Sequence, residues 1–205
     1  MQFQRLIKIL FDYWAALIVL FICFVPLFFI SVLVKLDSKG PIFFRQERVG
    51  KDGKLFRIWK FRTMVENASQ LGLGIEIAKN DSRITRMGKF LRRFGIDEIP
   101  QVFNIIAGEM SLVGPRTALP HQFLQYTDFE KKRLRVKPGI TNINILKGWN
   151  TLPWKERIKW DVWYIDHWSL WLDLKIMALT PIIVLTGRGQ YGENGIVEDY
   201  KSDKE

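Results

Sequence analysis

The N-terminal part of the chain is dominated by a long apolar run. Residues 9–34 are almost wholly apolar and are interrupted mainly by Asp12. As a helix rising ~1.5 Å per residue, this run exceeds the ~30 Å hydrocarbon core of a bilayer. A secretory signal peptide has a shorter apolar core and a small-residue cleavage site, and neither is present. The pattern therefore predicts an uncleaved membrane anchor.

Basic residues flank this run on both sides. They are Arg5 and Lys8 before it, and Lys35, Lys39, Arg45 and Arg48 after it. Basic flanks prefer the cytoplasmic side, so an ordinary span would place one flank on the wrong side. Pro26 predicts a break, because proline removes a backbone donor and clashes with the preceding turn. We predict a re-entrant membrane anchor over residues 1–36, with a kinked single span as the alternative.

Residues 42–62 read as two short strands around a turn. The tetrapeptide between them, Gly-Lys-Asp-Gly at residues 50–53, is typical of a hairpin. Residues 66–80 contain two glycines and show little periodicity, which predicts a mobile loop. A small β-hairpin followed by a loop is therefore expected directly after the anchor.

Two helices are predicted in the centre of the chain. Residues 81–93 begin with Asp and Ser, which cap helices, and then repeat apolar residues at helical spacing. A second helix is expected to begin near Asp97 and Glu98, because Pro100 is acceptable only in a first helical turn. The two carboxylates would then lie at a helix N-terminus, where free backbone N–H groups favour phosphate.

Tryptophans are concentrated near the C-terminal end. Six of the eight lie between Trp149 and Trp171, alternating with basic residues. Tryptophan prefers the membrane–water boundary, and residues 170–185 are too short and too interrupted to span a bilayer. These residues predict amphipathic helices in the plane of the interface, with an aromatic-rich soluble core as the alternative. Residues 188–205 are polar and predict a flexible tail.

The predicted fold class is therefore α/β, mainly helical and membrane-associated. The re-entrant anchor is followed by a domain over residues 37–187 that consists of the small β-hairpin, two central helices and interfacial helices. If the domain is catalytic, the two central helices are the ones that carry the chemistry.

The composition points to an anionic partner. The 205 residues carry a formal net charge of +10 at pH 7. Nucleic acid, an anionic membrane surface and a phosphorylated substrate all fit that sign. The chain has no zinc-finger, RNP or recognition-helix signature, so we expect no nucleic-acid partner. One cysteine and two histidines exclude an intrachain disulfide and a Cys/His zinc site, and suggest a cytosol-facing chain.

The candidate chemistry centres on the adjacent acids Asp97 and Glu98. The cations expected around them are Lys60, Arg62, Arg92 and Arg116. An Asp-Glu pair alone is usually a solvated surface feature, but with these cations and an anchor it describes a phosphate site that contains carboxylates. Arginine binds phosphate oxygens in a bidentate manner. Mg²⁺ on Asp97 and Glu98 would offset their charge beside a pyrophosphate.

These motifs resemble the bacterial sugar transferase family, the monotopic polyprenyl-phosphate phosphoglycosyl transferases. The matching segments are residues 40–50, 60–64, 97–104, 110–116, 137–141 and 168–175. The central segment reads Asp-Glu-Ile-Pro-Gln-Val-Phe-Asn. The resemblance extends from the anchor to about residue 185, and the chain length is similar to that of the small members, which have a catalytic domain and one anchor.

The resemblance implies a two-step transfer at the cytoplasmic face of the bacterial plasma membrane, as the first membrane step of glycan assembly. Asp97 would attack the β-phosphorus of a UDP-sugar, release UMP and hold the sugar phosphate. Polyprenyl phosphate, expected to be undecaprenyl phosphate, would then accept it. Glu98 would assist at Mg²⁺ or in proton transfer. Lys60, Arg92 and Arg116 would hold phosphates or the carboxylates, and the anchor would be re-entrant.

Three places depart from the family pattern. Thr117 replaces a usual proline, Val25 replaces a serine that often precedes the anchor proline, and residues 142–150 differ from the usual segment. These differences concern sugar selectivity more than the reaction. Two alternatives stay open: a non-catalytic basic membrane adaptor that binds anionic lipid, and direct transfer without a covalent intermediate. The adaptor explains the charge, the anchor and the tryptophans, but not the two carboxylates.

Overall fold

Eight helices and six short strands make up residues 2–200, which are the residues that the computed structural model of the chain describes. The helices are α1 (Gln2–Asp37), α2 (Arg86–Phe94), α3 (Val102–Ile106), α4 (Pro120–Gln125), α5 (Asp128–Lys131), α6 (Ile143–Lys147), α7 (Trp154–Asp166) and α8 (Leu170–Thr186). The strands are β1 (Phe43–Val49), β2 (Leu55–Phe61), β3 (Ile77–Ala78), β4 (Ser111–Val113), β5 (Gly139–Thr141) and β6 (Ile196–Val197). The mainly helical character with a small amount of sheet is confirmed.

The predicted hairpin is present. Strands β1 and β2 pair antiparallel, with Phe43 opposite Phe61 and Val49 opposite Leu55. The turn is a short 3-10 helix, Lys51–Gly53, as the Gly-Lys-Asp-Gly sequence indicated. Strand β2 contributes Phe56 and Ile58 to the core cluster that includes Ala16 of the N-terminal helix. Its last residue, Phe61, belongs to a second cluster that includes Val34 of the same helix.

The segment predicted as a mobile loop is held by a buried arginine. The Arg83 guanidinium donates to four backbone carbonyls at 2.6–2.8 Å, those of Ala68, Leu71, Gly74 and Glu76. Its Nη2 also lies 2.7 Å from Asp81 Oδ2. In addition, β3 pairs with β6. The prediction of a mobile loop over residues 66–80 missed this arginine, which satisfies backbone groups that an exposed loop would leave to water.

The first central helix begins later than the sequence suggested, and the second begins where it was predicted. Because Asp81 is committed to Arg83, it does not cap a helix; α2 instead begins at Arg86, where the Thr85 Oγ1 accepts from the Gly88 N–H at 3.0 Å. The predicted second helix begins as a 3-10 helix, Ile96–Gln101, and continues as α3. Its proline, Pro100, lies inside the 3-10 part.

The N-terminal half of α1 is attached to the domain by polar side chains. Asp12 accepts a hydrogen bond from the Ser111 hydroxyl at 2.7 Å and from the Leu112 N–H at 3.2 Å. Lys8 Nζ lies 2.7 Å from Asp173 Oδ2 on α8. Ala16, one turn further along, is fully buried in the core. Asp12, the acid that interrupts the apolar run in the sequence, therefore attaches α1 to the domain.

The C-terminal half of α1 is attached to the same domain. Val34 is buried with Phe61 of β2 and with Leu91 of α2. Asp37 Oδ2 accepts from the Met87 N–H of α2 at 2.8 Å. The helix is continuous through Pro26, so the break expected at this residue does not interrupt it. Proline costs a helix one hydrogen bond, which the tertiary contacts on both sides of it offset.

The rest of the α1 surface is apolar and exposed. Phe21 is 86% exposed, and Phe24, Phe28 and Phe29 are each more than 60% exposed. By length and composition α1 is the one helix of residues 2–200 that is able to cross a membrane. A contiguous exposed apolar surface of this kind marks an interaction with lipid or protein.

Helix α7 packs one side into the domain core, as the alternative of an aromatic-rich core predicted. Its residues Ile158, Val162 and Tyr164 are buried, and Asp161 forms a buried ion pair with Arg133. Arg157 is also buried, whereas Trp163 is exposed, so the interfacial position of this region stays a prediction. Helix α8 keeps an exposed apolar surface that includes Trp171.

The predicted flexible tail is packed as far as residue 200. Strand β6 pairs with β3, and Tyr200 is buried, where its hydroxyl donates to Glu130 Oε1 at 3.0 Å. Asp199 lies 2.7 Å from His121 Nε2. The polarity of residues 188–200 thus reflects specific partners in the domain, while residues 201–205 of the predicted tail lie outside the described residues.

The attachment at Asp12 predicts that a more apolar residue at this position lowers the stability of the protein, whereas a simple membrane anchor would tolerate it. Asp12→Leu makes α1 more apolar but removes the partner of the Leu112 N–H and leaves the Ser111 hydroxyl with only the Val113 carbonyl. We expect the free energy of unfolding in detergent to fall by ~1–3 kcal/mol. Phe21→Leu, at an exposed position of the same helix, is the control. Equal stability of the two variants in denaturant titrations contradicts this role for Asp12.

Candidate active site

Asp97 and Glu98 lie where a 3-10 helix begins, next to strand β2. They occupy the first turn of the 3-10 helix, and Asp97 is only 8% exposed. Asn104 of α3 fixes this region to β2: its Oδ1 accepts from the Trp59 N–H at 2.9 Å, and its Nδ2 donates to the Arg57 carbonyl at 2.9 Å. The hairpin and the two carboxylates are therefore held as one unit.

Glu98 is paired with a lysine from β2. The Lys60 ammonium donates to Glu98 Oε1. Burial tends to raise the pKa of Glu98, but the charges of Lys60 and Arg116 and hydrogen bonds from Lys60 and Gln101 lower it to about 2. Burial also lowers the pKa of Lys60, which the negative charge of Glu98 opposes. Glu98 is therefore an ionised carboxylate with cationic side chains next to it.

Asp97 has a different environment from its neighbour. Burial, and next the charge of Glu98, raise the pKa of Asp97, while Lys60 and Arg92 act in the opposite direction. Among residues 2–200 no side chain donates a hydrogen bond to the Asp97 carboxylate, whereas Lys60 donates to that of Glu98. The two adjacent acids therefore differ in how directly their charge is neutralised.

Arg92 reaches this site because α2 approaches the end of β2 closely. Its Nε donates to the Thr63 Oγ1 at 2.8 Å. The approach depends on Gly88, since a Cβ at that position would lie 2.1 Å from the Thr63 carbonyl oxygen. The remaining nitrogens of the guanidinium stay available near Asp97, whose pKa the Arg92 charge lowers.

Arg116 follows a tight parallel pairing of β4 and β5. A Cβ at Gly139 would lie 2.1 Å from the Gly114 nitrogen, so only glycine permits this approach. The Pro115 carbonyl accepts from the Gly139 N–H at 3.0 Å, and the Arg116 carbonyl accepts from Arg133 Nη2 at 2.9 Å. The Arg116 side chain acts on Glu98, because its charge lowers the pKa of that carboxyl.

Five of the six predicted site residues come together in this way: Asp97, Glu98, Lys60, Arg92 and Arg116. Arg62 is different. Its guanidinium donates to the carbonyls of Val34 at 3.0 Å and Ser38 at 2.8 Å, and to that of Lys39. It satisfies the C-terminal carbonyls of α1, so this geometry does not support the predicted phosphate contact.

Two further cations lie near Arg116 and were missed by sequence reasoning. Arg48 is half-buried, and burial together with the charge of Arg116 lowers its pKa to about 10, while the charge of Glu98 acts in the opposite direction. Arg157 of α7 is buried, and burial together with the charge of Arg116 lowers its pKa to about 10. The alternation of β1, which puts Gln46 and Arg48 on one face, was a signal for the first; nothing local marked the second.

The donor set is suited to a metal ion that is shared with a substrate. Within residues 2–200 no group of three or more Asp, Glu, His or Cys side chains is placed to enclose a metal. Asp97 and Glu98 are adjacent and buried among cations. Mg²⁺ is commonly bound by one or two carboxylates plus substrate phosphates, and this pair fits that arrangement.

Comparison with known proteins identifies related chains. Residues 3–187 match the family model described as bacterial sugar transferase. A Bacillus subtilis protein named as an uncharacterized sugar transferase, EpsL, is 38% identical over 95% of this chain and 95% of its own length. A Klebsiella pneumoniae protein named UDP-glucose:undecaprenyl-phosphate glucose-1-phosphate transferase is 47% identical over 74% of this chain and 34% of its own length.

A third relative has a different sugar in its name. It is the Salmonella typhimurium undecaprenyl-phosphate galactose phosphotransferase, which is 36% identical over 92% of this chain and 42% of its own length. The chain thus spans almost the whole of the Bacillus relative but less than half of the other two.

The close approach at Gly88 predicts a stability effect. Gly88→Ala forces α2 away from the Thr63 backbone, and with it Arg92. We expect a loss of ~1–3 kcal/mol of unfolding free energy, the usual effect of overpacking, seen as a lower Tm. Lys89→Ala, on the exposed side of the same helix, should leave the Tm unchanged. A Gly88→Ala protein as stable as the parent is inconsistent with the packing described.

Proposed function

Because the chain belongs to the bacterial sugar transferase family, we propose that it transfers a sugar 1-phosphate from a UDP-sugar to polyprenyl phosphate. The relatives named above for glucose and galactose act with undecaprenyl phosphate, which is the acceptor we propose here. The observation that carries the proposal is the buried Asp97 carboxylate beside Glu98, with the charges of Lys60 and Arg92 acting on Asp97 and those of Lys60 and Arg116 acting on Glu98.

In the proposed first step a carboxylate oxygen of Asp97 attacks the β-phosphorus of the donor. The bond from that phosphorus to the bridging oxygen breaks, and UMP leaves with the bridging oxygen and its electron pair. An acyl phosphate on Asp97 carries the sugar. Burial and the like charge of Glu98 make this carboxylate a poorly stabilised anion and hence a better nucleophile, as its raised pKa indicates.

In the second step a phosphate oxygen of the polyprenyl phosphate attacks the same phosphorus. The bond to Asp97 breaks, the carboxylate is restored, and the product is a polyprenyl diphosphate sugar. Phosphoryl transfer depends mostly on positioning and charge neutralisation. Lys60, Arg92 and Arg116 supply cations at the site, and Glu98 orients Lys60.

Mg²⁺ is part of the proposal, with Asp97 and Glu98 as its protein ligands. When bound, it neutralises phosphate charge so that a carboxylate can approach a pyrophosphate. The two roles left for Glu98, holding the metal or moving a proton from the lipid phosphate, both use the ionised form that its low pKa maintains at neutral pH.

We also propose that α1 is a re-entrant anchor at the cytoplasmic face of the plasma membrane. Both halves of the helix contact one domain, through Asp12 and through Asp37. A helix that is attached to one folded domain through both of its halves is poorly placed to deliver its two ends to opposite sides of a bilayer. The exposed phenylalanines between them are suited to the acyl chains, and the basic flanks to the cytoplasmic headgroups.

A non-catalytic basic adaptor remains the contrasting function. It accounts for the net charge and for α1, but it has no need for two buried carboxylates. Burying ionised groups is costly unless they are paired or used. The donor assay below separates the two, because an adaptor releases no UMP from any UDP-sugar.

Replacing the nucleophile tests the covalent route. The purified full-length protein is incubated with polyprenyl phosphate, Mg²⁺ and a panel of UDP-sugars labelled in the sugar. Asp97→Asn should lower UMP release by at least about 1000-fold, the scale seen when a covalent nucleophile is lost. It should also abolish labelling of the protein and leave membrane association intact.

Asp128→Asn, at a fully exposed acid, is the matched control, and a chelator should stop the parent enzyme until Mg²⁺ is restored. Full activity of Asp97→Asn removes this residue from the nucleophile role. Kinetics that require both substrates bound together, with an unlabelled protein, favour direct transfer.

Cysteine labelling tests the anchor. In a Cys23→Ser background, Gln4→Cys and Lys39→Cys each place a thiol on one flank of α1. A membrane-impermeant maleimide should label neither in intact spheroplasts and both in inverted vesicles. Labelling of one flank from outside and the other from inside means that α1 is a single span.

A further inference from the structure

Residues 188–200, which we call the C-terminal strap, cross the domain and have no part in the chemistry described above. The strap begins after α8 and ends at the buried Tyr200. The match to the family model ends at residue 187, so the strap lies outside it. Polar terminal segments are poorly ordered unless specific contacts hold them. The contacts of the strap are therefore the evidence for its role.

The far end and the middle of the C-terminal strap are fixed to the domain. The Tyr200 hydroxyl donates to Glu130 Oε1 at 3.0 Å, and its ring lies edge-on to that of Tyr126, with the centroids 5.1 Å apart. Asp199 Oδ1 accepts from Gln122 Nε2 at 2.5 Å. Between the two ends, β6 pairs with β3. These attachments leave the near end of the strap little freedom to move away from the domain.

The near end of the C-terminal strap is held by Asn150, which lies in the turn before α7. The Asn150 N–H donates to the Gly189 carbonyl at 2.9 Å, and its Nδ2 donates to the Gln190 carbonyl at 2.7 Å. Asn150 is fixed in turn by Arg157, which donates to its carbonyl at 2.9 Å and to its Oδ1 at 3.2 Å. The backbone of Gln190 is therefore held in place, and this sets where its side chain reaches.

The Gln190 side chain meets the end of α2. Its Nε2 donates to the Arg92 carbonyl at 2.7 Å. Arg92 is in the last turn of α2, where carbonyls lack partners within the helix. The same carbonyl accepts from the Gly95 N–H at 3.3 Å, and the Gly95 carbonyl accepts from the Glu98 N–H at 3.2 Å. The contact therefore lies at the turn between α2 and the 3-10 helix that carries Asp97 and Glu98.

This turn determines where the two carboxylates lie. Gly95, at its centre, has a φ of 67° and is the residue type with the greatest backbone freedom. Within residues 2–200 no side chain donates to the Asp97 carboxylate, so the position of that group depends on its backbone. In reactions that need a close approach, a displacement of about 1 Å costs roughly 100-fold in rate. A donor that fixes the turn from outside therefore matters for attack by Asp97.

We propose that Gln190 is a positioning residue for the active site. It fixes the turn that carries Asp97 and Glu98, and the C-terminal strap holds Gln190 against the end of α2. The inference rests on the function proposed above, because the exact position of the two acids matters for the rate only if they take part in the reaction. Gln190 itself contacts neither the donor nor the acceptor.

The test compares full-length variants in detergent by UMP release and by hydrogen–deuterium exchange. Gln190→Met keeps the length of the side chain and removes its N–H donor. We expect kcat and kcat/KM to fall together by about 10- to 100-fold with KM unchanged, because positioning of the nucleophile counts in the transition state. Exchange of the N–H groups of residues 95–98 should become faster, while exchange in β1 and β2 should not change. Glu193→Gln, at an exposed position of the strap, should match the parent in both measurements.

The outcomes separate this inference from the proposed function. If the parent releases UMP and Gln190→Met does so at the same rate, the positioning role alone is overturned. A raised KM with unchanged kcat also overturns it, because Gln190 then acts in substrate binding, and so does faster exchange throughout the domain, which indicates a general loss of stability. A parent that releases no UMP from any donor overturns both. If Gln190→Met does not fold, Gln190→Glu decides: it has the same shape without an N–H donor, and a parent-like kcat overturns the inference.

Discussion

Two neighbouring carboxylates at a buried position require cations around them, and much of the domain is arranged to meet that requirement. Asp97 and Glu98 are consecutive, so their mutual repulsion is built into the chain. Lys60 neutralises Glu98 directly, and the charge of Arg116, from the turn after β4, acts on the same acid. Asp97 is left as a less stabilised anion. This asymmetry between the two acids is the basis for the different roles that we propose for them.

The cations come from separate elements, and the site therefore depends on how those elements pack. Lys60 is delivered by β2, Arg92 by α2 and Arg116 by the turn after β4. Two close backbone approaches, at Gly88 and at Gly139, bring the second and third into position. Small residues far from the chemistry thus determine the electrostatics of the carboxylates.

Much of this was visible in the sequence, and the misses share a cause. Local patterns predicted the hairpin, the apolar helix and the grouping of Asp97 with three cations, because turn residues and apolar periodicity act over short distances. They did not reveal that Arg83 donates to carbonyls of the preceding loop, that Arg62 donates to carbonyls at the C-terminal end of α1, or that Arg157 is buried. A buried and a solvated arginine look alike in sequence, since only long-range packing decides which carbonyl or carboxylate it meets.

The double attachment of α1 has a consequence for how this helix is able to change. Asp12 and Asp37 each meet a fixed partner on the domain. An α-helix turns by about 100° per residue, so one residue inserted between them would rotate one of the aspartates by about 100° away from its partner. The length of the apolar stretch must therefore match the distance between these two attachment points on the domain as well as the thickness of the lipid layer. We therefore expect α1 to tolerate substitutions of its exposed phenylalanines but not the insertion or deletion of residues.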